Sequence, residues 1–194
     1  MSPDEAEMIR RCKQGDLSAF NELVKRYEKL VYNFAYRLTN NYDDANDISQ
    51  EALIRVFTAI KSFRGDASFT TWIYRITTNV FLDERKRARA HPHTSLDEHV
   101  ELEESSIVRQ IEDPSPQPLA QIEEKEVGNI LSQAVASLPE YQRTMVVLYH
   151  TEQKSYEEIS EIMNLPIGTV KSRLNRARLA LKEILSPQRE LFGN

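Results

Sequence analysis

Cysteine is almost absent from this chain: Cys12 is the only one among 194 residues. One thiol excludes an internal disulfide framework and a Cys-rich zinc site, and a buried, inert thiol is the expected state of Cys12. Glycine is scarce, with five residues in all, and the Asn-Gly and Asp-Gly pairs that close β-hairpins are missing. No stretch alternates apolar and polar residues as a half-buried strand does, and no internal repeat stands out. No apolar run is long enough to span a bilayer, and the N-terminus lacks a signal-peptide core, so a reducing, cytoplasmic setting is expected. Aromatic residues make up 8% of the chain, which suits small cores rather than one large one. Positive charge is in deficit too: 25 Lys and Arg stand against 30 Asp and Glu, for a net charge of -5. Such a total cannot grip nucleic acid by non-specific attraction. Any DNA contact must come from local basic faces, or from a larger partner that supplies most of the affinity.

What is present concentrates between Ser155 and Leu185. Ser155 can cap a helix, and Glu158 three residues later completes a capping box. Ile159, Ile162 and Met163 give that helix an apolar face. Pro166 and Gly168 break the pattern, and Thr169 or a neighbour reopens it. Val170, Leu174, Ala177 and Leu181 then recur at helical spacing, so one side of the second helix packs inward. Its other side shows Lys171, Ser172, Arg173, Asn175, Arg176 and Arg178. Arg and Asn suit bidentate contact with base edges, and Lys and Ser suit phosphates. The turn, the cap and the one-sided cations favour a DNA-binding helix-turn-helix over a plain helical hairpin with a solvated basic face.

Charge is segregated along the rest of the chain. From Leu96 to Glu126 acidic residues dominate, and the run Asp113 to Pro118 (Asp-Pro-Ser-Pro-Gln-Pro) cannot hold a helix. This stretch reads as a flexible acidic linker. Before it, Arg85, Lys86, Arg87 and Arg89 end a helical segment. After it, Ile130, Leu131, Val135 and Leu138 resume helical periodicity. The fold class that follows is all-α, with two small helical domains joined by a flexible acidic linker. The first module holds three helical segments. Residues 17–38 present Phe20, Leu23, Val24, Tyr27, Leu30, Val31, Phe34 and Leu38 as a core face. Residues 43–60 turn Ile48, Ala52, Leu53, Val56, Phe57 and Ile60 inward, while Asp47, Gln50, Glu51 and Ile54 share a separate edge. The third runs from Phe69 to Ala90, after a polar turn, Ser62 to Ser68, with glycine inside it.

Catalytic readings fail on their requirements. Asp43, Asp44 and Asp47 spell a DDxxD carboxylate cluster of the kind that holds magnesium diphosphate, the basis for a transferase reading. A second facing acidic cluster and a deep apolar cavity are not evident. Asp43 or Asp44 as a helix cap is the preferred account, since carboxylates favour the N-terminal dipole. A metal-paired nuclease site lacks its second carboxylate set. His91 and His93 flank Pro92, His99 and His150 are isolated, and all four are read as loop histidines rather than a metal site. No phosphate-cradling glycine motif occurs, and no cofactor is expected. The third segment keeps two readings open. Trp72, Ile73, Ile76 and Val80 fit a core stripe. Phe63, Phe69, Tyr74 and Asn79, beside a polar loop and a terminal basic run, also suit a pocket for an unstacked base.

The run Phe63 to Arg87, with the stretch from Asp43 to Ser62 before it, resembles region 2 of the extracytoplasmic-function (ECF) sigma factors. Leu138 to Glu183 resembles their region 4. The likeness spans nearly the whole chain outside the linker and the extreme termini. It implies a region 2 domain at residues 1–90, a linker at 91–122 and a region 4 domain at 123–194. It also implies a dissociable, non-enzymatic promoter-specificity subunit of bacterial RNA polymerase, under the control of an anti-sigma factor. Asp47, Gln50, Glu51 and Ile54 would meet the clamp helices of the largest polymerase subunit. The loop Arg64, Gly65, Asp66, Ala67, Ser68, Phe69, Thr70 and Thr71 would capture a flipped minus-ten base, in a pocket of Ala59, Phe63, Ile76 and Asn79. Arg85, Lys86, Arg87 and Arg89 would hold nearby promoter DNA. Thr169, Lys171, Ser172, Arg173, Asn175, Arg176 and Arg178 would read the minus-thirty-five element. Ser160 departs from the alanine often found there, and its hydroxyl is expected to bond back one turn. The rival reading is a stand-alone helix-turn-helix regulator, which predicts tight duplex binding without polymerase.

Overall fold

The computed structural model describes residues 2–90 and 119–187. They form eight α-helices in two packed units, and no strand occurs among the described residues. The linker prolines and the acidic run as far as residue 118, with His91, His93 and His99, lie outside the described residues.

Four helices build the N-terminal unit, one more than periodicity predicts. Helix α1 (Pro3–Lys13) starts at Ser2, whose hydroxyl accepts the Glu5 N–H at 3.2 Å, with proline at the first helical position. Its apolar side, Met8, Ile9 and Cys12, is buried. Burial raises the pKa of Cys12 above the ordinary thiol value. Helix α2 (Leu17–Thr39) is capped by Asp16, which accepts the Ser18 and Ala19 N–H groups, and it ends at Asn40 in the left-handed region. The Ala19 bond and the Arg11 guanidinium hold the Asp16 carboxyl below its usual range. Helix α3 (Tyr42–Ala59) follows, then a 3-10 turn (Ile60–Ser62) and helix α4 (Phe69–Ala90). Leu23, Phe34, Leu38, Val56, Ile73 and Phe81 are all at most 2% exposed, and they form the core of this bundle. Each such side chain contributes roughly 1.5–3 kcal/mol through removal from water.

Two expectations need correction here. Asn41, not Asp43 or Asp44, caps α3, its side chain accepting the Asp44 N–H at 3.0 Å. Asp43 and Asp44 instead occupy the first turn, where the dipole favours them. Phe57, read as a core residue, is 45% exposed. It lies three residues from Ile54 and shares that outward edge, resting edge-on against Phe20 with ring centroids 4.6 Å apart.

The C-terminal unit comprises α5 (Leu119–Ser137), α6 (Glu140–Val146), a π-helical turn (Val147–Thr151), α7 (Tyr156–Met163) and α8 (Ile167–Leu185). Helix α5 begins four residues inside the stretch read as linker. Met145, Leu148, Ile159, Ile162, Val170, Leu174 and Ala177 fill the core between α6, α7 and α8. The π turn closes with a bond from the Glu152 N–H to the Val147 carbonyl at 3.0 Å, and Gln153 follows with φ +52°.

The two units meet along a polar seam with an aromatic floor. The Arg143 guanidinium donates to the Leu38 carbonyl at 2.7 Å, to the Leu138 carbonyl at 3.1 Å and to the Ala136 carbonyl. It also lies 5.9 Å from the Phe81 ring centre. Glu152 accepts from Arg37 and from the Tyr74 hydroxyl across the seam. Lys154 sits 5.2 Å from the Tyr74 ring centre, and Arg89 donates to both Glu140 oxygens at 2.6 Å. Burial first, and then the Glu152 bond, push the Tyr74 phenol well above its ordinary pKa.

Candidate nucleic-acid interface

The helix-turn-helix forms as the capping chemistry predicts. Ser155 Oγ accepts the Glu158 N–H at 3.1 Å, and the Glu158 carboxylate accepts the Ser155 N–H at 2.9 Å. Burial alone would raise the Glu158 pKa, but the Ser155 bond and Lys154 together hold it low. Helix α7 ends at Asn164 in the left-handed region, with φ +49°. Helix α8 opens at Ile167, so Gly168 lies inside its first turn rather than breaking it, and Thr169 is not its first residue. Pro166 is the N-cap, its carbonyl accepting the Thr169 and Val170 N–H groups at 2.8 and 3.1 Å. The Ser160 hydroxyl does not bond back along α7: it donates forward to the Leu165 carbonyl in the turn. Back-bonding itself is available in this fold, since Thr77 and Thr144 donate to the Ile73 and Glu140 carbonyls one turn earlier, but at Ser160 the turn carbonyl of Leu165 takes the bond instead.

Burial then sorts the faces of α8. Val170, Leu174 and Ala177 are at most 1% exposed and point into the core. Lys171, Ser172, Asn175 and Arg176 are exposed, and Thr169, Arg173 and Arg178 are half-buried along the same outward side. Ser172 Oγ donates to the Thr169 carbonyl at 3.0 Å. Three of the cations lie over aromatic faces. Lys171 is 5.7 Å from the Tyr156 ring centre, Arg173 is 5.6 Å from Tyr141, and Arg178 is 4.8 Å from Tyr149. These tyrosines belong to the helices and turn around α8 and were not singled out by sequence reasoning. Their positions relative to α8 depend on tertiary packing, so spacing alone carries no signal for them.

In the N-terminal unit, the four α3 residues read as one edge do share it. Asp47 and Gln50 are exposed, and Ile54 is 58% exposed. Glu51 accepts from Arg55 at 2.7 Å, and Arg55 reaches on to Asp83 at 3.0 Å. Asp44 is held by Arg85 at 2.6 Å. Among the described residues, no group of three or more His, Cys, Asp or Glu side chains is arranged to hold a metal ion.

The loop between the 3-10 turn and α4 is pinned at both ends by buried rings. Phe63 and Phe69 are 5% and 1% exposed and meet edge-on at 5.2 Å, with Trp72 tilted against both. Helix α1 supports this anchor: Lys13 donates to the Phe63 carbonyl at 2.6 Å and lies 5.5 Å from its ring centre. Between the anchors, Arg64, Gly65, Asp66 and Ser68 are exposed, Ala67 and Thr70 are half-buried, and Thr71 is buried. Gly65 has φ +84°, a conformation that residues with a Cβ rarely adopt. Ser68 Oγ accepts the Thr71 N–H at 3.0 Å and starts α4. On α4, Ile76 is half-buried and Asn79 exposed, one turn apart, while Ala59 is half-buried at the end of α3. Tyr74, considered as a wall of the pocket, is instead buried at the seam against Glu152. The basic run is largely paired. Arg85 meets Asp44, Arg87 meets Glu84 at 2.9 Å, Arg89 meets Glu140, and Lys86 is exposed.

The comparisons with known proteins fit this layout. Residues 23–91 match the model of Sigma-70 region 2, and residues 128–181 match that of Sigma-70, region 4. The chain is 37% identical over 178 residues to the ECF RNA polymerase sigma factor SigW of Bacillus subtilis, covering 91% of this chain and 94% of that one. It is 36% identical over 183 residues to the ECF RNA polymerase sigma-E factor of Escherichia coli K12, covering 93% of each. Among solved structures, it resembles the sigma factor RpoE of Bartonella quintana, in complex with the anti-sigma factor NepR. That likeness has TM-score 0.61 and 25% identity, covering 86% of this chain and 96% of the other. CnrH, solved with the cytosolic domain of CnrY, shares the fold at TM-score 0.64 and 20% identity, covering 95% and 99%. With both regions matched in order and relatives this similar over almost their full length, the chain belongs to the family of ECF RNA polymerase sigma factors.

Proposed function

We propose that this chain is an alternative, non-enzymatic sigma factor that binds core RNA polymerase, directs it to promoters with minus-thirty-five and minus-ten elements, and acts in the cytoplasm, where polymerase works. The carrying observation is the outward face of α8. It presents Lys171, Ser172, Asn175 and Arg176 in the open while Val170, Leu174 and Ala177 are sealed inside. That is the geometry of a major-groove reader. Thr169, Arg173 and Arg178 complete this face for duplex minus-thirty-five DNA. The α3 edge of Asp47, Gln50, Glu51 and Ile54 serves as the polymerase contact, since an exposed isoleucine ringed by polar groups suits a protein interface.

The loop from Arg64 to Thr71 takes the minus-ten strand, with Ala59, Phe63, Ile76 and Asn79 around the extruded base and Arg85, Lys86, Arg87 and Arg89 beside the backbone. On this reading, residues 1–90 form the polymerase and minus-ten domain, and residues 123–194 form the minus-thirty-five domain. Residues 91–122 connect them. An anti-sigma factor is the expected regulator, as in the solved complex of the sigma factor RpoE with the anti-sigma factor NepR. The affinity missing from a chain of net charge -5 comes from the polymerase.

Run-off transcription tests this reading, with purified core polymerase on a pool of randomised promoters, with and without the chain. Enrichment of templates that share two spaced elements is the expected result. Transcription that does not depend on the chain, with duplex retained on a gel by the chain alone, would turn the assignment toward a stand-alone regulator.

A further inference from the structure

Two of the cations on α8 belong to one continuous stack. The Arg178 guanidinium lies 4.8 Å from the centre of the Tyr149 ring. Tyr149 stacks on Tyr156, with centroids 5.2 Å apart and planes 16° from parallel. The Lys171 ammonium caps the far end, 5.7 Å from the Tyr156 ring centre. Lys171 and Arg178 are seven residues apart on α8, two turns or about 10 Å along the axis. The two rings bridge that gap from outside the helix, one from the π turn and one from the first residue of α7. A second contact fixes the guanidinium: Arg178 Nε donates to His150 Nε2 at 3.3 Å.

The chemistry of the stack sets what it can do. A carboxylate partner neutralises a cation and competes with phosphate. The face of an aromatic ring holds the cation through its quadrupole and leaves the charge intact. A long side chain already restricted this way also loses less rotamer freedom when it meets an anion. The π turn serves both sides: Tyr149 within it lies under Arg178 of α8, while Glu152 just after it reaches the other unit.

We propose that Tyr149 is a positioning residue for promoter recognition. Its ring sets Arg178 and, through Tyr156, Lys171 as a spaced pair of unneutralised cations for the phosphates that flank the minus-thirty-five element. The inference rests on α8 being the DNA-reading helix and deepens that reading. Tyr149 itself need not touch DNA.

The test uses holoenzyme reconstituted from core polymerase and the full chain, bound to a duplex promoter chosen in the transcription experiment. The variants are Tyr149→Phe, Tyr149→Leu, Arg178→Ala, Lys171→Ala and the double variant Tyr149→Leu with Arg178→Ala. Tyr149→Phe keeps the ring and should bind as the parent does. Tyr149→Leu should weaken promoter binding about two- to fivefold, the equivalent of one exposed cation–π contact. It should stay folded, with a melting temperature lowered by no more than a few degrees through the lost ring contacts, and its core-polymerase affinity should be unchanged. In the double variant the loss should fall short of the product of the single losses, since the two residues act as one unit. Parental binding by a folded Tyr149→Leu, beside a clear loss in Arg178→Ala, overturns the positioning role and leaves the α8 reading intact. No loss in either Lys171→Ala or Arg178→Ala overturns the α8 reading itself. A measurement on the unsubstituted chain guards against a variant that fails to fold. The Arg178 side-chain proton resonances should be shifted upfield by the Tyr149 ring, and unshifted resonances would overturn the proposal.

Discussion

The cations of α4 and α8 are the same kind of side chain and are held in different ways. On α4, Arg85, Arg87 and Arg89 each end on a carboxylate, from Asp44, Glu84 and Glu140, with Arg85 also 5.7 Å from the Phe81 ring centre. On α8, Lys171, Arg173 and Arg178 each lie over a tyrosine. A cation on a carboxylate must exchange partners before it can serve a phosphate, and a cation on a ring need not. On the proposed reading, the α8 face needs no exchange of partners to meet DNA, whereas Arg85, Arg87 and Arg89 on α4 become available only as their ion pairs open, with Lys86 exposed beside them. One of those pairs, Arg89 with Glu140, spans the seam between the units. Separation of the units thus frees Arg89, within the proposed minus-ten surface, and leaves the cation–ring contacts of α8 as they were.

The strongest way to break the contrast is to remove the packing that holds α8 in place. Leu174 is 1% exposed in the core between α6, α7 and α8. Leu174→Ala should cost about 2–5 kcal/mol, the usual range for a buried leucine truncation. Arg176→Ala, on the exposed face of the same helix, should stay within about 0.5 kcal/mol. Urea denaturation of the two variants checks this, and equal losses would mean that α8 is not seated as described.

Replacement of Gln153 tests the turn that aims Tyr149. Gln153 has φ +52°, a conformation that costs an L-residue with a side chain roughly 1 kcal/mol relative to glycine. Gln153→Gly should raise stability by up to about that amount in a thermal melt, with some return lost to the greater freedom of the unfolded chain. Destabilisation instead would show that the side chain makes a contact worth more than the strain.

How much of this was legible in the sequence depends on whether the signal is local. The capping box at Ser155 and Glu158, and the inward stripe of Val170, Leu174 and Ala177, are short-range patterns, and they form as read. The α3 edge is legible for the same reason, since residues at spacings of three, four and seven must share a side. Helix α1 had equally local signals in Ser2, Pro3, Asp4 and Glu5, yet its apolar stripe of three residues is too short to stand out. The π turn, the tyrosines under the cations and the Glu152 contacts are different in kind. They depend on which elements meet in space, and no spacing encodes that. Phe57 shows the limit of a periodic reading: it stands three residues from Ile54 at the border of the stripe, and rests on the part-buried Phe20 with 45% of its own surface exposed.

A smaller effect sharpens the α4 side of the comparison. Asp44→Asn removes the charge opposite Arg85, an exposed to half-exposed pair whose loss should cost no more than about 1 kcal/mol. Promoter binding by the holoenzyme should become steeper in its salt dependence, by up to about one released ion, because Arg85 no longer has a protein anion to leave. The parental slope would argue that Arg85 never reaches DNA. The equivalent experiment is not open on α8, where, among the described residues, Lys171, Arg173 and Arg178 have no carboxylate partner to neutralise.

The weakest perturbation, protonation of His150, bears on the aromatic-held cations most directly. Burial first, and then Arg178, hold its imidazole below the ordinary value of 6.5. The sign follows from the proton count. As pH falls, the unfolded chain takes up this proton before the folded one, so the folded state loses stability from about pH 6.5 down to the lowered folded value and levels off below it. Above that window the neutral ring accepts the Arg178 Nε–H bond; below it, an imidazolium cannot accept and repels the guanidinium. His150→Gln keeps a hydrogen-bond acceptor and removes the titration. It should flatten the fall in melting temperature between pH 7 and pH 5 and remove any accompanying change in promoter affinity. Affinity that changes with pH in the parent and equally in His150→Gln would place the titrating group elsewhere. Affinity that is flat in both would mean that the Tyr149 ring alone fixes Arg178, with His150 adding nothing.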